Sequence, residues 1–198
     1  RALEIDPGYA RASAGAADCC SFLYMYYDAS RANLELAERY SARALEFGPD
    51  LAEAHASRGL ALTISKQYGA AGHEFEQAIA LNSNLYEAHY LYARALVQQG
   101  KHAEAVEAYR EAWRVRPEDY QAPFLLDSAL RRLGRDAEAD AASQEAIALA
   151  RRHIELNPDD ARALCLGASG LMLTGHTEEA VEWARRALAI DPTDASIL

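Results

Sequence analysis

Small and large apolar residues recur along this chain at a fixed step. When the stretches EAHASRGLAL, EAHYLYARAL and QAPFLLDSAL are set under one another, they begin at Glu53, Glu87 and Gln121, a step of 34 residues. Alanines keep that step: Ala54, Ala88 and Ala122 form one column, Ala61, Ala95 and Ala129 a second, Ala71, Ala105 and Ala139 a third. Larger side chains follow beside them at Leu62, Leu96 and Leu130. A period of this length is too short for a domain, yet it accommodates two helices of about 12 to 14 residues with their turns. One such unit cannot bury its own apolar face, so stacked neighbours must share an elongated core.

The ends of the units carry turn chemistry. Proline disfavours helix in the residue before it, so Ile5-Asp6-Pro7, Phe47-Gly48-Pro49, Val115-Arg116-Pro117, Leu156-Asn157-Pro158 and Ile190-Asp191-Pro192 each mark a helix end. Ser83 stands where the unit closing at Leu85 should have its proline. Inside the units, Gln99-Gly100-Lys101, Leu133-Gly134-Arg135 and Thr174-Gly175-His176 place a glycine where a left-handed helix cap is needed. At these residues the chain resembles the tetratricopeptide repeat family. The stretch from Tyr86 to Asp119 matches it best, with Ala93 and Ala95, Gly100 at the turn, then Ala105, Tyr109, Ala112 and Pro117. The resemblance implies an all-α fold, a right-handed superhelical solenoid of antiparallel helix pairs, in a single array.

The frame is a partial repeat at 1–9, full repeats at 10–51, 52–85, 86–119, 120–160 and 161–194, and the start of a further repeat at 195–198. The first residues read as the end of a helix and the chain has no initiator Met, so a fragment of a longer chain is expected. The first and fourth repeats are too long. Seven extra residues change the phase of a helix by only about 20°, and neither Gly nor Pro occurs between Asp136 and Asn157. One helix of about 20 residues, projecting past its neighbours, is therefore expected there. In the first repeat the extra residues fall around Phe22 to Ser30, with four aromatics, Phe22, Tyr24, Tyr26 and Tyr27, beside Leu23 and Met25. They either fill a lengthened helix pair or form an exposed aromatic patch for a partner. Asp28 or Ser30 is suited to cap the helix that follows.

Charge narrows the partner. With 30 acidic against 20 basic residues the net charge is -10, which opposes binding to phosphate backbones. No run of uncharged residues approaches the roughly 18 a membrane helix needs. Two adjacent cysteines, Cys19 and Cys20, and a distant Cys165 make no disulfide framework, and a reducing, cytoplasmic setting is expected.

The chemistry of a catalyst is missing from the sequence. His73-Glu74 opens like a zinc-protease helix, but Gln77 stands where the second imidazole belongs. His102, His153 and His176 have no ligand neighbours at helical spacing. Asp136, Glu138 and Asp140 alternate like a calcium loop, yet Ala141 replaces its glycine and Ile147 its bidentate acid. They read as the acidic first turn of a helix. His55 and His89, one repeat apart, read as packing groups at the core edge. Neither enzyme activity, nor a cofactor, nor a metal is expected.

In the family resembled, the first helices of successive repeats line a concave groove that takes extended peptides or a partner's helix. The branch that grips a terminal carboxylate with Lys and Asn finds Ala14, Asp18, Ala56 and Leu60 at the matching places here, so that mode is not expected. The wall instead offers Tyr90 and Arg94, then Phe124, Ser128, Arg131 and Arg132, then Arg162, Cys165 and Ser169. Aromatics beside arginines suit binding, and an acidic or mixed peptide would fit a mildly basic groove; equally, Asp127 is placed to pair with Arg131. Two functions follow. One is a protein-interaction scaffold, which binds a protein or peptide partner and associates with itself through bare ends. The other is a regulatory or assembly module of a larger enzyme, since LAEAHASRGLAL resembles arrays attached to bacterial adenylate cyclases, kinases and transcriptional regulators.

Overall fold

The computed structural model describes residues 2–192, and among them it holds eleven helices and no strand. Arg1 and the expected start of a further repeat at 195–198 lie outside the described residues. The helices are α1 (Ala2–Ile5), α2 (Ala10–Tyr26), α3 (Arg31–Phe47), α4 (Ala52–Ile64), α5 (Tyr68–Leu81), α6 (Tyr86–Gln98), α7 (His102–Val115), α8 (Gln121–Arg132), α9 (Asp136–Leu156), α10 (Ala161–Leu173) and α11 (Thr177–Ile190). The chain forms two compact units, Arg1–Lys101 and His102–Leu198. In the first, α2 packs on α3 and α4, and α4 on α5 and α6. In the second, α7 packs on α8, α8 on α9, and α10 on α9 and α11. This is the all-α architecture of a tetratricopeptide-type solenoid, in which each helix pair lies against the next.

The turns repeat because their hydrogen bonds repeat. Past the ends of α4, α6, α8 and α10, the N–H groups of Gln67, Lys101, Arg135 and His176 donate back to the carbonyls of Leu62, Leu96, Leu130 and Leu171, at 2.9, 3.0, 3.0 and 2.8 Å. That closure needs one residue in the left-handed region. Gly100, Gly134 and Gly175 take it with φ of 75, 70 and 83°. In the turn between α4 and α5 the same place is held by Lys66 at φ 60°, a strained choice that no glycine announced in the sequence.

Helices cross closely where a side chain is missing. A Cβ added at Gly59 would come within 2.7 Å of the Phe75 ring, and one at Gly167 within 2.2 Å of the Trp183 ring. Phe75 is fully buried, and Trp183 belongs to a core with Phe124, Ile147, Ile154, Leu164 and Leu171. Alanines fill the remaining crossings, with Ala61, Ala95 and Ala129 at most 1% exposed.

The two lengthened repeats differ in kind. α9 is a single helix of 21 residues, against 14 in α5, α7 and α11. Its added turns carry Arg151, which reaches Glu179 of α11 at 2.7 Å, and His153, whose Nε2 lies 2.8 Å from Asp160. Asp160 caps α10 by accepting from the Ala163 N–H at 3.0 Å. In the first repeat both helices grow, to 17 residues each. Ser30, rather than Asp28, caps α3, accepting from the Asn33 N–H at 3.4 Å.

Candidate functional site

The first helices place the expected groove residues in both units. Tyr90 and Arg94 stand on α6 in the first unit; Phe124, Ser128 and Arg131 on α8, and Arg162 and Cys165 on α10, in the second. Each set is built differently.

In the first unit the aromatic patch and the groove residues are one cluster. The last turn of α2 carries Tyr26 past the length of the 13-residue helices α4 and α6. The Arg94 guanidinium donates to the Tyr26 hydroxyl and lies over both the Tyr26 and Tyr90 rings, 5.6 and 5.8 Å from their centres. Phe22 stacks on Tyr26, and Tyr86 on Tyr90. Phe22, Tyr26 and Tyr27 are exposed, whereas Tyr24 is half-buried and Tyr90 buried. A cation between two aromatic faces is held by the ring quadrupoles as well as by its hydrogen bond. Sequence spacing alone had no means of bringing Tyr26 and Arg94 together, 68 residues apart.

Asp18 lies on the same helix. Burial pushes its carboxyl up to about 6, and the hydrogen bond from Ser57 offsets only part of this, while Glu87 adds repulsion. Its Oδ1 is buried without a partner. A carboxyl here disfavours a ligand carboxylate, in keeping with the replaced clamp positions.

The second unit carries a cleft of about 500 Å³ between α8 and α10. Phe124, Leu125, Leu166, Gly170 and Leu173 give it apolar walls, and Ser128, Ser169, Arg131 and Arg132 a polar rim. Gly170 permits it, because a Cβ there would come within 2.5 Å of the Phe124 ring. Ser128 and Ser169 are exposed. Leu166 and Leu173, which the sequence reading did not single out, supply much of the apolar surface. Their signal was their place on α10, one helical turn either side of Ser169.

The arginines of this unit are engaged at home. Arg131 donates to Asp127 at 2.9 Å and to Asp140 at 2.7 Å, so the pairing with Asp127 holds and a second acid adds to it. Burial raises the Asp127 carboxyl, and Arg131 offsets this only in part. Arg162 donates to Gln121 at 2.9 Å. A strongly basic wall is thereby excluded in this unit, and the cleft is an apolar slot with a hydroxyl and guanidinium edge. Arg162 and Cys165 do not line it.

His55 and His89 serve the turns, approaching the carbonyls of Pro49 and Ser83 at 2.8 and 2.9 Å. Among the described residues no group of three or more potential ligands could hold a metal ion, and no helix is long and apolar enough to cross a membrane.

Tetratricopeptide repeat family models match residues 62–122 and 131–195. Among solved structures, YrrB, a tetratricopeptide repeat protein with an unusual peptide-binding site, is 21% identical over 99% of this chain and 93% of its own, with a TM-score of 0.54. PilW, a type IV pilus biogenesis factor, is 20% identical over 99% of this chain and 84% of its own, at 0.67. Human IFIT1, a dimer with m7Gppp-AAAA, is 18% identical over 96% of this chain but 45% of its own, at 0.73. At these identities the likeness is one of fold. No curated protein matches the sequence.

Proposed function

Because the chain belongs to the tetratricopeptide repeat family, we propose that it is a protein-interaction scaffold that holds a peptide or partner segment against its first helices, without catalysis of its own. The observation that carries this reading is the cleft between α8 and α10. Its size and lining suit an apolar side chain, and the exposed Ser128 and Ser169 hydroxyls beside it offer hydrogen bonds to an extended backbone. Hot spots of protein recognition combine such a desolvated apolar anchor with a polar surround. A peptide suits the surface better than a nucleic acid does, since the net charge is -10 and Arg131 is already neutralised by two carboxylates. That YrrB was solved as a protein with a peptide-binding site supports the same direction. A cytoplasmic scaffold in a bacterium is the setting this reading favours.

Selection from a displayed peptide library tests it. The wild-type chain is expected to enrich a motif with a large apolar residue, and Leu166→Asp, which puts a charge into the cleft wall, to lose that enrichment at unchanged helicity. A library that yields no motif, or the same motif with Leu166→Asp, contradicts the reading.

A further inference from the structure

The first helix of each later pair has its small-residue face covered, and α2 does not. The tenth residues of α4, α6 and α10 are Ala61, Ala95 and Gly170, all buried. A Cβ at Gly170 would press on both Phe124 and Ile147 of the preceding pair. The tenth residue of α2 is Cys19, which is exposed. The third residues Ala54, Ala88 and Ala163 are fully buried, whereas Ala12 is only half-buried. A Cβ at Gly15, between them, would meet nothing within 4 Å. Phe22 and Leu23 continue the stripe and are exposed. The element lying nearest on the chain is α1, four residues with none buried.

The sequence of α1 and its turn, Ala2-Leu3-Glu4-Ile5-Asp6-Pro7, returns at the end of α11 as Ala187-Leu188-Ala189-Ile190-Asp191-Pro192, identical except at the third place. We propose that α2 is a docking face for the α10–α11 pair of a second copy of this chain, whose α11 end takes the place that α1 occupies. The contact continues an interface already established inside the chain. Ile147, the twelfth residue of α9, flanks Gly170; the twelfth residue of α11 is Leu188, half-buried, with Met172 and Val181 exposed on the same pair. The charges continue too. Arg110–Glu138 and Arg151–Glu179 join successive second helices. Arg185, at the same place in α11 as Arg110 in α7, is exposed, and α3, which α2 brings with it, carries Glu35 in its first turns. The two patches are unlike, so the contact is heterologous and propagates from copy to copy.

Sedimentation equilibrium under reducing conditions, over rising concentration, tests this with Cys19→Glu on the α2 face and Met172→Glu on the α10 face. The wild type is expected to form dimers and larger species and each variant to stay monomeric. An equimolar mixture should recover a one-to-one dimer and nothing larger, because each variant keeps the face the other has lost. A wild type that is monomeric throughout, variants that associate as the wild type does, or a mixture that remains monomeric overturns the proposal. Should circular dichroism show Met172→Glu unfolded, Val181→Glu probes the same face. Neither face lines the cleft, so peptide selection by these variants separates a failure here from a failure of the groove reading.

Discussion

Asp18 places a carboxyl where the surrounding helices exclude water, and the consequence is measurable as a pH dependence. Its folded value of about 6 lies above the ordinary 3.8, so the protonated form stabilises the folded chain. That contribution is complete below the unfolded value and is lost as the pH rises through 6. Asn at this position keeps the neutral shape at every pH. The stability of Asp18→Asn should match that of the wild type near pH 4 and exceed it by on the order of 2 kcal/mol at pH 7, read from urea unfolding at both values. Parallel profiles would show that Asp18 is solvated as an ordinary surface acid. The sequence placed Asp18 on the inner wall, but its burial depends on Ser57 and Glu87, which come from two other helices and leave no local signal.

At the scale of the helix pair, small residues decide the distance between rods. Gly167 sits against the Trp183 ring, whereas a Cβ at Gly69 in α5 would meet nothing within 4 Å. Gly167→Ala is therefore expected to destabilise by about 1 to 3 kcal/mol through overpacking, while Gly69→Ala should be neutral or stabilising by up to about 1 kcal/mol. Thermal unfolding of the two variants separates them, and equal shifts would mean that the helices yield at Gly167. Much of this scale was legible in the chain. Proline and glycine marked the helix ends, and the uninterrupted run after Asp136 gave the long α9. The turn at Lys66 was not legible, because tertiary closure imposes a left-handed conformation there on a residue that gives no sign of it. Nor was the division of the added residues between α2 and α3 in the first repeat, since aromatics around Tyr26 serve a buried stripe and an exposed one alike.

At the scale of the whole molecule, repetition made the fold readable, and side-chain pairing made the site less so. A period of 34 residues survives in alanine columns because each helix crossing requires the same small volume. Binding residues obey no such period. Arg94 and Arg131 look alike as inner-wall arginines, yet one lies between tyrosine rings and the other between two carboxylates. What remains for a ligand in the second unit is apolar surface from Leu125, Leu166 and Leu173 edged by serine hydroxyls. The most direct test is an NMR titration of the chain with a peptide from the displayed library. Amide shifts concentrated on Phe124, Ser128, Leu166 and Ser169 are the predicted result; shifts confined to the second helices α7, α9 and α11 would contradict the account.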